Sequence, residues 1–165
     1  MQQHLLQLPY PTVEGKASAY EIDKLYDFYA GRFSELTSIT SYVYQSVITS
    51  NMPISEILHK ISITEMRHFQ LLASALITFG IDPVMMGKHS YFSCSYTNYC
   101  KDVREFLLTD IEWENSAKEE YLALANKTQN SSLCNLLTRI ALDEEMHVNI
   151  LKETYEDIFG EPIPE

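Results

Sequence analysis

The sequence predicts an all-α protein, an antiparallel four-helix bundle with one long crossover between its second and third helices. Three observations carry this. Glycine (five) and proline (six) are scarce among 165 residues, which favours long uninterrupted elements over a many-turned β fold. Four stretches place apolar residues three and four positions apart, the period of a helix with one buried face. The two halves also repeat: a shift of 79 positions lays Glu35 on Glu114, Tyr42 on Tyr121, Glu65 on Glu144 and His68 on His147.

Residues 1–19, with Pro9, Pro11 and Gly15, read as an irregular N-terminal arm packed on the body or on a partner. The bundle is expected over residues 20–159. From Tyr20 to Ser50, Ile22, Leu25, Phe28, Tyr29, Leu36, Ile39, Tyr42 and Val43 recur at helical spacing and predict one continuous first helix. Asn51-Met52-Pro53 makes a short turn, because proline is tolerated in the first turn of a helix and not in its interior. The second helix follows from Pro53 to Phe79 and ends at Gly80 and Pro83. Residues 80–100, aperiodic and serine-containing, form the crossover. A third helix spans Lys101 to Lys127, and Asn130 or Ser131 caps a fourth that runs to Phe159, where Gly160 and Pro162 stop it. Residues 160–165 are a short tail.

Two hairpins joined by one long connection match bundle topologies with a single crossover. The repeat supports this independently. The midpoint of Glu35 and Glu65 is Ser50, at the first turn, and that of Glu114 and Glu144 is Gln129, inside the second. Both pairs then stand roughly 20 Å above their turns at about 1.5 Å per residue, on one level.

Three residues advance a helix by about 300°, so each Glu-x-x-His presents a carboxylate and an imidazole on one face. Glu35, Glu65, His68, Glu114, Glu144 and His147 are therefore the candidate ligands of a dinuclear metal site. Four carboxylates balance two divalent ions, and hard oxygen donors with one imidazole per ion suit iron first, then manganese, then zinc. Tyr42 and Tyr121 lie on the ligand face, as core aromatics whose hydroxyls can hold a ligating carboxylate. Glu56–His59 repeats the motif's spelling but lies about 900° of helix from Glu65, on the opposite face, and its shifted counterparts are Asn135 and Thr138. It is read as solvated, as are Glu112, Glu119 and Glu120; Trp113 is read as packing and His89 as a surface or packing residue.

The formal charge of −11 remains −7 without the four repeated glutamates, so the outer surface is acidic and excludes nucleic acid and anionic lipid as partners. Cys94, Cys100 and Cys134 lack zinc or redox spacing and are expected as reduced thiols. No signal-peptide pattern or membrane-length apolar run is present, and a cytoplasmic chain is expected.

Glu35 with Tyr42, Glu65-x-x-His68, Glu114 with Tyr121, and Glu144-x-x-His147, over about residues 20–158, resemble the ferritin-like superfamily of dimetal-carboxylate proteins, most closely its rubrerythrin-type branch. The resemblance implies a four-helix bundle holding two iron or manganese ions bridged by carboxylates, acting on peroxide or O₂ as an oxidoreductase. It also implies a homodimer. An iron-binding, ferroxidase-type metal-handling protein is the alternative, and a structural four-helix protein with a metal site a third. The chain departs from rubrerythrins in having no Cys-x-x-Cys knuckles, so a separate electron-donor protein is expected, and in carrying Ala117 where they have a further glutamate. Storage ferritins differ in usually lacking the second Glu-x-x-His symmetry.

Overall fold

Five helices build the body in the computed structural model, which describes residues 8–164. They are α1 (Ala19–Ala30), α2 (Glu35–Ile48), α3 (Met52–Thr78), α4 (Val103–Ala125) and α5 (Ser131–Phe159). Helices α2 and α3 pack as one hairpin and α4 and α5 as the other, with α1 continuing the position of α2 along the bundle. The crossover holds an isolated antiparallel bridge between Met86 and Tyr91 and a 3-10 turn at Cys94–Tyr96. Residues 1–7 of the expected N-terminal arm and the last residue of the tail lie outside the described residues. No described helix is long and apolar enough to cross a membrane.

One expectation needs correction: the single first helix from Tyr20 to Ser50 is two helices. Apolar periodicity runs through residues 31–34, but the backbone does not. Gly31 leaves the helix at φ −73°, ψ −169°, and a Cβ there would lie 2.5 Å from the Asp27 carbonyl oxygen. Gly87 of the crossover packs against the same point, where a Cβ would come within 2.8 Å of Gly31 Cα. Ser34 then restarts the helix as N-cap, accepting from the Thr37 amide, while the Thr37 hydroxyl donates to the Gly31 carbonyl at 3.2 Å. Glu35 thereby becomes the first residue of α2, facing the interior from a helix N-terminus.

The internal repeat reaches into the turns. Asn51 caps α3 at φ −85°, ψ 103°, and Asn130 caps α5 at φ −86°, ψ 104°. Their amides bond the hydroxyls of Thr49 and Thr128 at 3.2 and 3.1 Å. Beyond the caps Leu58 and Leu137, Ile61 and Ile140, and Leu72 and Leu151 are repeat-related and fully buried. These residues divide the core into two apolar clusters. One gathers Leu72, Leu76, Leu124, Leu133 and Leu137 with α1; the other gathers Leu58, Ile61, Phe106, Leu107 and Leu151. The polar layer lies between them.

The N-terminal arm lies along α5. Asn130 Nδ2 donates to the carbonyls of Glu14 and Lys16, Val13 is buried, and Arg139 donates to the carbonyl of Leu8. Ser18 and Glu21 form a reciprocal capping box at the start of α1, and Thr128 donates to the same Glu21 carboxylate.

Candidate metal centre

All six sequence-predicted ligand residues meet in that layer, each at most 4% exposed. They form two sets whose donor atoms lie within 4.8 Å of one another: Glu35, Glu65, His68 and Glu144 in one, and Glu65, Glu114, Glu144 and His147 in the other. Glu65 and Glu144 belong to both, which is the arrangement two bridging carboxylates require. Each set adds one terminal glutamate and one imidazole.

The hairpins interlock through their histidines. His68 of α3 places Nδ1 3.1 Å from Glu144 Oε1 of α5, and His147 of α5 places Nδ1 2.9 Å from Glu65 Oε1 of α3. Glu35 Oε2 lies 3.5 Å from His68 Nδ1, and Glu114 Oε2 lies 3.4 Å from His147 Nδ1. Both imidazoles thus aim Nδ1 at the carboxylates. Tyr42 and Tyr121 each close the layer from one apolar cluster, and their hydrogen bonds cross the bundle: Tyr42 donates to Glu114, and Tyr121 donates to Glu35. The sequence placed these tyrosines on the ligand face without showing that each serves the carboxylate of the opposite half.

The electrostatics are those of a site built for cations. Burial, with Glu65 adjacent, raises the Glu35 carboxyl well above its ordinary value, and burial raises Glu144 to about 7. Burial acts against the charged imidazoles too, yet Glu144 and Glu35 hold His68 well above its ordinary value, and Glu65 and Glu114 do so for His147. Burial raises Glu114, but His147, Glu144 and Tyr42 together outweigh it and lower the carboxyl from its ordinary value. These shifts favour the protonated forms of Glu35, Glu144, His68 and His147 in the metal-free chain. Glu35 Oε2, Glu65 Oε1, Glu144 Oε1 and His68 Nδ1 are buried and lie close to one another, yet none has a hydrogen bond of good direction. Such a donor set, oxygen-rich with one imidazole on each side, fits two divalent ions.

Sequence reasoning missed a group behind the layer. Asp143 is fully buried and its Oδ2 receives Tyr10 Oη at 2.6 Å, lies 2.6 Å from Arg139 Nη1, and sits 3.1 Å from His68 Nε2. These bonds overcome the burial that would raise the carboxyl and hold it at about 2, while burial pushes Tyr10 up to about 12. Its repeat-related residue is Thr64, so a search for repeated acids passes over it. Asp110 was missed as well. It lies one turn before Glu114, fully buried, accepts from Gln45 Nε2 at 3.2 Å, and is raised well above its ordinary value by burial. An acidic residue four positions before a ligand, on the same face, was the available signal.

The residues read as bystanders stand apart from the layer. Glu56, His59, His89, Glu112, Glu119 and Glu120 are exposed, and Trp113 packs edge-on against Phe33 with ring centroids 5.8 Å apart. The three cysteines are free thiols.

A cavity of about 560 Å³ leads from the surface to Glu35, Glu65, Glu114 and Glu144. Its wall includes Arg32, Phe33 and Ser34, the segment between α1 and α2, and Trp113, Ala117 and Tyr121 of α4. The segment that interrupts the first helix thus forms part of the cavity wall. Ala117 lines this opening.

Residues 105–165 match the family model described as Rubrerythrin. No curated protein matches the chain. Among solved structures it is similar to a manganese catalase from Anabaena, with TM-score 0.83 and 20% identity over 98% of this chain and 86% of that one. It is also similar to a bacterioferritin from Mycobacterium tuberculosis, with TM-score 0.72 and 19% identity over 88% of this chain and 90% of that one. A dodecameric thioferritin from Bacteroides fragilis gives TM-score 0.72 and 21% identity over 88% and 90%. At these identities the likeness is one of fold. The chain thus shares the four-helix-bundle fold of these proteins, with a segment over residues 105–165 that matches the Rubrerythrin model and two buried clusters that share Glu65 and Glu144.

Proposed function

We propose that this chain is a dinuclear-metal oxidoreductase acting on peroxide or O₂, with Glu35, Glu65, His68, Glu114, Glu144 and His147 as ligands. The observation that carries the reading is the pair of buried clusters sharing Glu65 and Glu144 at the end of an open cavity. Two redox-active ions, iron or manganese, would supply and accept the two electrons that peroxide reduction or disproportionation requires. Glu65 and Glu144 would serve both positions, and Glu35 and Glu114 would each complete one. Tyr42 and Tyr121 fix the terminal carboxylates through their hydroxyls. Phe28, Trp113 and Tyr121 line the approach. On this reading the protons held by Glu35, Glu144 and the imidazoles leave as ions enter. A separate electron-donor protein, a homodimer and a cytoplasmic setting belong to the same proposal.

Metal handling of the ferroxidase type is the second reading, favoured by the acids Asp27 and Glu112 at the cavity, where Lys24 is paired with Glu120 and Arg32 is the other base in the lining. One experiment tests both. Anaerobic metal-free protein is reconstituted with Fe(II) or Mn(II), its metal content measured, and the product mixed with peroxide in a stopped-flow spectrometer. Binding of two ions per chain with peroxide turnover is expected. Oxidation of added Fe(II) with retention of the product would favour metal handling, and binding of far less than two ions would overturn both.

A further inference from the structure

The twofold relation that superposes the six ligands fails one residue before each Glu-x-x-His: Asp143 precedes Glu144, whereas Thr64 precedes Glu65. The consequence appears behind the histidines. His68 Nε2 lies 3.1 Å from Asp143 Oδ2, and that oxygen is itself fixed by Arg139 Nη1 and Tyr10 Oη, both at 2.6 Å. The Tyr10 ring lies under the Arg139 guanidinium at 4.3 Å and meets His68 edge-on at 6.1 Å, so the group is packed as well as bonded. His147 is equally buried, yet its Nε2 has no hydrogen-bond partner among the described residues. Thr64, also buried, turns its hydroxyl to the Lys60 carbonyl at 3.5 Å.

We propose that the two metal positions are inequivalent: an ion beside Glu35 and His68 binds first and tightly, and an ion beside Glu114 and His147 binds second and exchanges readily. Asp143, with Arg139 and Tyr10, is the positioning group that makes the difference. The inference rests on the ligand assignment proposed above. A carboxylate behind a ligating imidazole keeps the proton on the outer nitrogen, leaves the inner lone pair for the ion and increases its basicity. For His68 that inner atom is Nδ1, already aimed at Glu35, Glu65 and Glu144. Among the described residues no group does this for His147, so its proton is not held on Nε2 and Nδ1 is not reserved for an ion. Because Tyr10 and the Leu8 carbonyl bonded by Arg139 belong to the N-terminal arm, docking of the arm supports the first position and not the second.

The test is stepwise titration of metal-free protein with Mn(II) under anaerobic conditions, with calorimetry for the constants and electron paramagnetic resonance for isolated against coupled ions. In the wild type the first step is expected to be at least about 10-fold tighter than the second, within the 10- to 100-fold range of such outer partners. Repulsion between ions also separates two steps, so the variants decide. His147→Ala should keep the tight step and His68→Ala should lose it. Asp143→Asn should weaken the first step by about 10- to 100-fold and leave the second, while Thr64→Asp should tighten the second. Tyr10→Phe, which keeps the ring, gives a smaller loss confined to the first step and stands in if Asp143→Asn does not fold. Equal weakening of the first step by both histidine variants would overturn the inequivalence alone, as would failure of Thr64→Asp to tighten the second. Failure of the wild type to bind two ions would overturn this inference together with the ligand assignment.

Discussion

The α2–α3 hairpin and the α4–α5 hairpin contribute the same candidate ligands from the same turn chemistry, yet they differ in what enters each hairpin and what stands behind its histidine. Both begin their second helix with an asparagine cap at nearly identical dihedrals, and both present Glu, Tyr and Glu-x-x-His. The first hairpin is entered through a broken helix, and the only charged residue of α2 is the buried Glu35. The second has an unbroken α4, carries most of the acidic surface, and holds Asp143, Arg139 and the N-terminal arm. The lesson is that a twofold ligand set does not imply a twofold environment. Ligands are constrained by the ions they share, whereas the residues behind them answer to the local packing of each half.

The comparison can be broken most strongly at the shared carboxylates. Glu65→Ala and Glu144→Ala each remove a donor from both clusters, so metal content should fall well below one ion per chain. Glu35→Ala and Glu114→Ala each affect one cluster and should leave about one. Elemental analysis after reconstitution distinguishes them, and equal losses in all four variants would refute the bridging assignment.

The pH response comes next. Glu35, Glu144, His68 and His147 all have folded values above their ordinary ones. The metal-free folded state therefore holds more protons than the unfolded chain, and its stability falls as pH rises through this range. For Glu144, moving from 4.5 to about 7, the contribution is on the order of 3 kcal/mol. Asp143 acts oppositely: its share is present above 3.8 and lost as pH falls toward about 2. Metal-free protein should thus be most stable in mild acid, whereas metal stabilisation should grow toward neutral pH because the ligands must lose protons. Thermal melts with chelator and with Mn(II) at pH 5 and 7 check both slopes; a metal-free melting point that rises between them would contradict the assignment.

Tyr42→Phe and Tyr121→Phe sharpen the symmetry itself. Each removes one buried hydrogen bond to a carboxyl group, worth about 1.5–3 kcal/mol where that group is ionised, and the loss should be larger at Tyr42, whose partner Glu114 is lowered, than at Tyr121, whose partner Glu35 is raised. Urea denaturation of metal-free protein measures them. The smallest effect is expected at the caps. Asn51→Ala should cost about 1 kcal/mol, and Asn130→Ala somewhat more, since its amide also ties down the arm at Glu14 and Lys16. Equal costs would show that the arm contributes nothing to the second hairpin.

Much of this was legible in the chain. The hairpin turns, the Gly160 stop, the crossover and the six candidate ligand residues that cluster in one layer follow from local signals or from a repeat that needs no structure to detect. Glu56–His59 could be separated from Glu65–His68 by rotation along one helix alone. The break before Glu35 was not legible by periodicity, because Leu36 and Phe28 keep the apolar phase on both sides of it. It depends on Gly31 meeting Gly87, two residues far apart in sequence.

By itself, then, the sequence determined the helical content, the level of the site and the residues that face it, because helix geometry turns spacing into direction. Tertiary structure alone decided which tyrosine holds which glutamate, which histidine receives an acid behind it, and where the bundle opens to solvent. Each of those depends on contacts between segments whose separation along the chain says nothing of their distance, as Tyr10 and Asp143 show at 2.6 Å. Spacing sets direction within one helix; only packing brings directions from different helices to the same point.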